Sequence, residues 1–226
     1  MLKILCIDDE RPTLDMLSLF LGAYGYSPLT AENGEQGIRL FTAERPQIVL
    51  TDIKMPGMDG IEVLKRIKSI DPTTEVIVVT GHGDMDLAIQ ALNLNATDFI
   101  NKPIQKDALE AALKRAQERL ASSSKGENQI DVRFNGDVAV MHIHGNVTSR
   151  SEPHLLEAYN RIIHREANRI VLGFDENATI NGAGIALMTQ LLIEGSKKGQ
   201  KAAIVGVSDN FRRVFDVVGI TKFAAL

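Results

Sequence analysis

Five polar residues stand just beyond apolar runs of this 226-residue chain: Asp8 and Asp9 after Ile4–Ile7, Asp52 after the run that begins at Ile48, Thr80 after Val76–Val79, and Lys102 after Phe99-Ile100. In an open parallel sheet, ligands collect beyond the carboxyl ends of the strands, so residues at such positions can share a pocket. Three carboxylates brought together repel, and the cluster persists when a hard cation neutralises it; few carboxylates plus waters suit Mg²⁺. If Asp52 attacks a phosphoryl donor, Mg²⁺ clamps oxygens on one side, the Lys102 ammonium neutralises another, and the Thr80 hydroxyl donates to a third. That is the chemistry of aspartyl phosphate formation. One Asp at a strand end is more simply a solvated loop residue or a helix cap, but the full ordered set is not explained that way.

The elements that must position these residues follow from the same runs. Short stretches apolar on both faces belong in parallel sheets. Between them lie helical stripes: Leu14, Leu17 and Leu21; Ile61, Leu64 and Ile67; Leu109, Leu113, Ala116 and Leu120. Five βα units of this kind make a doubly wound α/β sheet. Asp59 followed by Glu62 reads as a capping box, and Asn95 as a left-handed turn residue before Thr97.

Composition bounds the rest. The chain is 44% hydrophobic, with 25 basic and 29 acidic side chains and a net charge of −4, so it can bury a core and carries no footprint of nucleic-acid binding. Its one cysteine, Cys6, lies in an apolar run, which excludes an intrachain disulfide and makes it a small buried hydrophobe. No apolar run approaches the ~18 residues of a membrane span, so the expectation is a cytoplasmic protein without a membrane partner. A small, polar, Ser-rich stretch marks a linker at 122–128, dividing a domain at 1–121 from one at 129–226. Residues 1–121 carry 13 basic and 18 acidic side chains, whereas 122–226 carry 12 and 11.

Over residues 1–121 the sequence resembles the receiver domain of two-component response regulators. The resemblance rests on Ile7-Asp8-Asp9-Glu10, on Leu50-Thr51-Asp52-Ile53-Lys54-Met55-Pro56-Gly57-Met58-Asp59-Gly60, on Val79-Thr80-Gly81-His82-Gly83 and on Ala96-Thr97-Asp98-Phe99-Ile100-Asn101-Lys102-Pro103. It implies a flavodoxin-like five-stranded parallel doubly wound sheet. Asp52 would accept a phosphoryl group from a histidine kinase or phosphotransfer protein, with Mg²⁺ held by Asp8 or Asp9, Asp52 and the backbone carbonyl of Lys54. It further implies a switch in which Thr80 moves toward the phosphoryl group and Phe99 turns inward, and a cis Lys102-Pro103 peptide. Phe99 lacks the tyrosine hydroxyl of many relatives. Asp98, Asp107, Lys114, Arg115 and Arg119 are read either as a surface that pairs across a homodimer or as a solvated face.

The second half opens with strands at Ile130–Phe134 and Val138–Ile143 around an Asn135-Gly136-Asp137 turn. It continues with a helix face of Leu155, Leu156, Tyr159, Ile162 and Ile163, a strand at Ile170–Leu172, a helix bearing Ile185, Leu187, Met188, Leu191 and Leu192, and a strand at Ala202–Val207. A last helix starts at Ser208 or Asp209, buries Phe211, Val214, Phe215 and Val218, and stops at Gly219. His142 and His144 share one strand face, which allows a metal pair but reads more simply as surface histidines. Asp175, Glu176 and Asn177 follow a strand without a placed base or nucleophile.

The order of elements, with Ala178–Ala186 and Ser208–Gly219, resembles a STAS domain, the module of anti-sigma factor antagonists, which implies a mixed sheet with helices. Where relatives carry Asp-Ser-Ser-Gly, this chain reads Asn181-Gly182-Ala183-Gly184, so the phosphorylatable hydroxyl is absent. The resemblance implies a protein-binding surface around Asn181, Gly182, Ala183, Gly184 and Ile185, a serine-kinase-type anti-sigma factor as partner, and control moved to Asp52. Thr179 is a second candidate acceptor, read more simply as a strand end. Two other classes stay open: a phosphorylation-controlled scaffold, and an aspartate-dependent phosphohydrolase, which lacks a second acid two residues after Asp52.

Overall fold

The computed structural model describes residues 1–81, 83–122, 130–148, 151–165, 167–175 and 178–226. It divides into two compact units, Met1–Ser124 and Lys125–Leu226. Of the expected linker, all but Ser122 lies outside the described residues, as do His82, Glu176 and Asn177.

The first unit runs β1 (Lys3–Ile7), α1 (Arg11–Ala23), β2 (Ser27–Ala31), α2 (Gly34–Glu44), β3 (Ile48–Asp52), α3 (Gly60–Ile70), β4 (Glu75–Thr80), α4 (Met85–Asn93), β5 (Asp98–Asn101) and α5 (Lys106–Ser122). All neighbouring strands are parallel, in the order β2-β1-β3-β4-β5. One face of the sheet, through Ile4, Cys6, Ile48, Leu50, Ile77 and Ile100, packs on Leu14, Leu17 and Leu21 of α1 and on the apolar stripe of α5. On the other face α2 closes tightly on β1, where a Cβ on Gly37 would lie 2.4 Å from Ile7 Cδ1. Cys6, buried on the α1 and α5 face, has its thiol pushed up to about 12, by desolvation first and by the Asp8 charge second. It behaves as a core hydrophobe.

Asp59 caps α3 by accepting from Glu62 N at 2.8 Å, and Asn95 adopts φ 64° after α4, both as its residue type predicts. Two features depart from the sequence reading. β2 carries no continuous apolar run because it is an edge strand, with one neighbour and a proline at position 28 that costs no central ladder bond. Asp98 and Arg115 form neither a dimer surface nor a solvated face: both are buried and pair with each other, Arg115 Nε reaching Asp98 Oδ2 at 2.7 Å. Arg119 likewise turns to Glu75, 2.7 Å away, whose carboxylate also accepts from the Thr97 hydroxyl at 2.5 Å. Asp107 and Lys114 are exposed.

The second unit runs β6 (Ile130–Asn135), β7 (Val138–Ile143), β8 (Asn146–Val147), α6 (Glu152–His164), β9 (Arg169–Phe174), β10 (Thr179–Ile180), α7 (Gly182–Lys197), β11 (Lys201–Val205), α8 (Asp209–Val217), a 3₁₀ turn at Ile220–Lys222 and β12 (Ala224–Ala225). Its main sheet is mixed, ordered β12-β11-β9-β7-β6, antiparallel only at the β6–β7 hairpin; β8 and β10 pair separately. Leu155, Tyr159 and Ile162 form the buried stripe of α6, whereas Leu156 is exposed, since it lies a quarter turn from that stripe. β11 ends at Val205 rather than at 207 because Gly206 turns the chain at φ 83°, where a Cβ would stand 2.0 Å from the Phe174 carbonyl oxygen. Ser208 caps α8, and Gly219 follows it at φ 81°.

Candidate phosphoacceptor site

The carboxyl ends of β1, β3, β4 and β5 bring the five singled-out residues to one end of the first sheet. Asp52, the last residue of β3, is buried. Gly60 permits this, because α3 starts so close to β3 that a Cβ there would sit 2.1 Å from the Asp52 carbonyl oxygen. Asp8 is also buried, while its neighbour Asp9 is exposed; a carboxylate oxygen from each of Asp8, Asp9 and Asp52 lies within 4.8 Å of the others. Lys102 reaches the same point, its Nζ 2.7 Å from Asp52 Oδ2, 3.1 Å from Asp8 Oδ2 and 3.4 Å from Glu10 Oε2. Its peptide bond to Pro103 is cis.

The electrostatics follow from burial and pairing. Desolvation pushes the Asp8 carboxyl above the ordinary carboxylate range, and the Asp52 charge adds to it; the Glu10 N–H and Lys102 oppose the rise. Partial burial works against the Lys102 ammonium, yet hydrogen bonds and charge from Asp52 and then Asp8 hold its pKa above that of free lysine. Asp52 Oδ1 faces the backbone N–H of Lys54 at a long 3.4 Å, and the Lys54 ammonium turns away to Asp84 at 2.7 Å. Thr80 is buried at the end of β4 and donates to Asn101 Oδ1 at 3.1 Å.

This arrangement, on a parallel sheet of order 2-1-3-4-5, coincides with the first of two family matches: residues 4–114 fit the response regulator receiver domain. The chain is also 40% identical over 113 residues to sporulation initiation phosphotransferase F of Bacillus subtilis (strain 168), covering 50% of this chain and 91% of that protein. The chain belongs to the response regulator receiver family. The receiver is equally visible in transcriptional regulatory protein GlrR of Escherichia coli (strain K12), 36% identical over 121 residues, although these span only 27% of that larger protein. Among solved structures, a response regulator receiver domain protein from Clostridium thermocellum superposes with a TM-score of 0.51 at 35% identity, covering 55% of this chain and 98% of that one. Residues 129–225 match the STAS domain family.

The receiver's hard oxygen donors fit Mg²⁺: carboxylates clustered within 4.8 Å, one of them strained by burial, suit a small oxygen-seeking cation. Among the described residues this is the one group of three or more acids, histidines or cysteines close enough to hold a metal. His142 and His144 do stack, 6.3 Å apart, but His144 Nδ1 is taken by Asp175 Oδ2 at 2.8 Å. Phe99, expected to turn inward as part of a switch, is already fully buried in β5, opposite Val78.

In the STAS unit, Asn181 caps α7 by accepting from Gly184 N at 2.9 Å. Gly184 is required for packing, since a Cβ would stand 2.5 Å from the Val147 carbonyl oxygen; Ala183 is exposed, and Ile185 is buried. Thr179 is buried in β10, which withholds its hydroxyl from a kinase. Among the described residues no helix is long and apolar enough to cross a membrane.

Three participants escaped the sequence reading of the pocket: Glu10, Asn101 and Asp84. The first two sit inside the motifs that carry the receiver resemblance, next to residues of assigned role. Nothing local marks Asp84, which meets Lys54 only through the approach of two loops.

Proposed function

We propose that the protein is a response regulator that accepts a phosphoryl group on Asp52 from a histidine kinase or phosphotransfer protein and transmits that state through a protein-binding STAS output. One observation carries the first part: a buried carboxylate at a strand end with a lysine ammonium 2.7 Å away and two further acids within 4.8 Å. Burial strips solvent from the Asp52 nucleophile, and Lys102, already oriented by Asp8 and Asp52, stands where charge accumulates on a phosphoryl oxygen. Asp8, Asp9, Asp52 and the Lys54 carbonyl would hold Mg²⁺, which supplies neutralisation of the phosphoryl oxygens. Thr80 supplies a hydroxyl donor, whereas Phe99, already fully buried, has no inward turn left to contribute. Treatment with acetyl phosphate and Mg²⁺ tests this: intact-mass spectrometry should show one added phosphoryl group, absent in Asp52→Asn.

The output reading rests on the STAS match together with the loss of its own acceptor, because position 182 is glycine and position 183 alanine. Control of an anti-sigma factor antagonist would then pass to Asp52; of the expected contact segment, Asn181, Gly184 and Ile185 are buried, so the contact falls on exposed Ala183 and half-buried Gly182. A pull-down comparing the protein with Mg²⁺ and beryllofluoride against Asp52→Ala tests it; a serine-kinase-type anti-sigma factor on one bait alone is the expected result. A mass change in light scattering with the phosphoryl mimic and no added partner favours a phosphorylation-controlled scaffold, and equal recovery on both baits marks an output uncoupled from Asp52.

A further inference from the structure

The Thr80 hydroxyl is already committed. Its Oγ1 donates to Asn101 Oδ1 at 3.1 Å, and the two residues are register partners across β4 and β5. The backbone supports the contact, as Lys102 N donates to the Thr80 carbonyl at 2.7 Å. A threonine hydroxyl has one proton to give. While Asn101 accepts it, a phosphoryl oxygen on Asp52 cannot. Asp84, four residues on, is paired with the Lys54 ammonium at 2.7 Å.

We propose that Asn101 is a positioning residue that latches Thr80 in the unphosphorylated receiver, so that the Thr80–Asn101 hydrogen bond must be exchanged for a Thr80–phosphoryl one when Asp52 is loaded. The inference rests on Asp52 as the acceptor. An alanine or leucine at 101 offers no acceptor and leaves the buried hydroxyl free to rotate. Asn101 is half-buried at the strand end, where its substitution removes little packing. A ligand shifts an equilibrium only by its differential affinity for the two states, so weakening the resting state raises apparent affinity for the loaded one.

The test uses the full chain with Mg²⁺, titrated with beryllofluoride and read by ¹⁹F NMR. Asn101→Ala and Asn101→Leu should both bind about 3- to 10-fold more tightly than wild type, the range set by one neutral hydrogen bond. In a Thr80→Val background the same substitutions should change affinity by less than about 2-fold, because no hydroxyl remains to release. Unchanged or weaker binding in both Asn101 variants overturns the latch, as does an equal gain in the Thr80→Val background, which would mark a structural effect. Absence of any bound ¹⁹F signal in wild type, matching Asp52→Asn, overturns the acceptor reading itself and the latch with it.

Discussion

Lys102 Nζ lies 2.7 Å from Asp52 Oδ2, although the two residues end different strands, β5 and β3, with β4 between them. The ammonium thus occupies the acid cluster in which a divalent cation would sit. Lys102→Ala should bind Mg²⁺ several-fold more tightly, as a competing positive charge is removed, yet accept phosphoryl groups about 100-fold more slowly. Calorimetric titration with Mg²⁺ and a time course with acetyl phosphate check the two effects separately; weaker Mg²⁺ binding would contradict this role.

Asp98 and Arg115 form a buried ion pair, with Asp98 Oδ1 also accepting from Phe99 N at 2.9 Å. Removing only the cation strands a buried carboxylate. Arg115→Met should cost the receiver about 3–5 kcal/mol, while Asp98→Leu combined with Arg115→Met should cost clearly less. Urea denaturation of the single and double variants decides it.

Burial lowers Lys68 to about 8, opposed by the nearby Glu75 and reinforced by Arg119. With its folded pKa depressed, the unfolded chain binds the extra proton between about pH 8 and 10.5, so this group makes stability rise with pH across that window. Wild type should therefore gain stability relative to Lys68→Met between pH 7 and 9.5. Paired thermal melts at both pH values measure the difference, and a constant gap would refute the assignment.

The neighbouring small residues at 183 and 184 should behave differently. Gly184→Ala drives a Cβ to 2.5 Å from the Val147 carbonyl and should destabilise the STAS unit by about 1–3 kcal/mol. Ala183→Ser places a hydroxyl at an exposed position and should leave stability within about 0.5 kcal/mol. Thermal melts of the two variants read the contrast.

What the sequence determined by itself is local. Apolar runs on both faces specified β1, β3, β4 and β5, and the polar residue beyond each run is the one that reaches the pocket, because strands in a parallel sheet all end on the same side. Caps at Asp59 and Ser208 and left-handed positions at Asn95 and Gly219 were legible because they depend on neighbours within a few residues.

Only the tertiary structure decided the pairings. A charged residue reads as surface until a partner is brought to it, so the sequence placed Asp98, Arg115 and Arg119 outside, whereas the packing of α5 on β4 and β5 buries Asp98 and Arg115 and turns Arg119 onto Glu75. β2 and β12 escaped notice because edge strands need no apolar run on both faces. That the Thr80 hydroxyl points to Asn101 and the Lys54 ammonium to Asp84 depends on the register of β4 against β5 and on the approach of two loops. Hydrophobic periodicity carries information about faces, but hydrogen bonds are made by atoms within about 3 Å of each other, a distance only the folded chain defines.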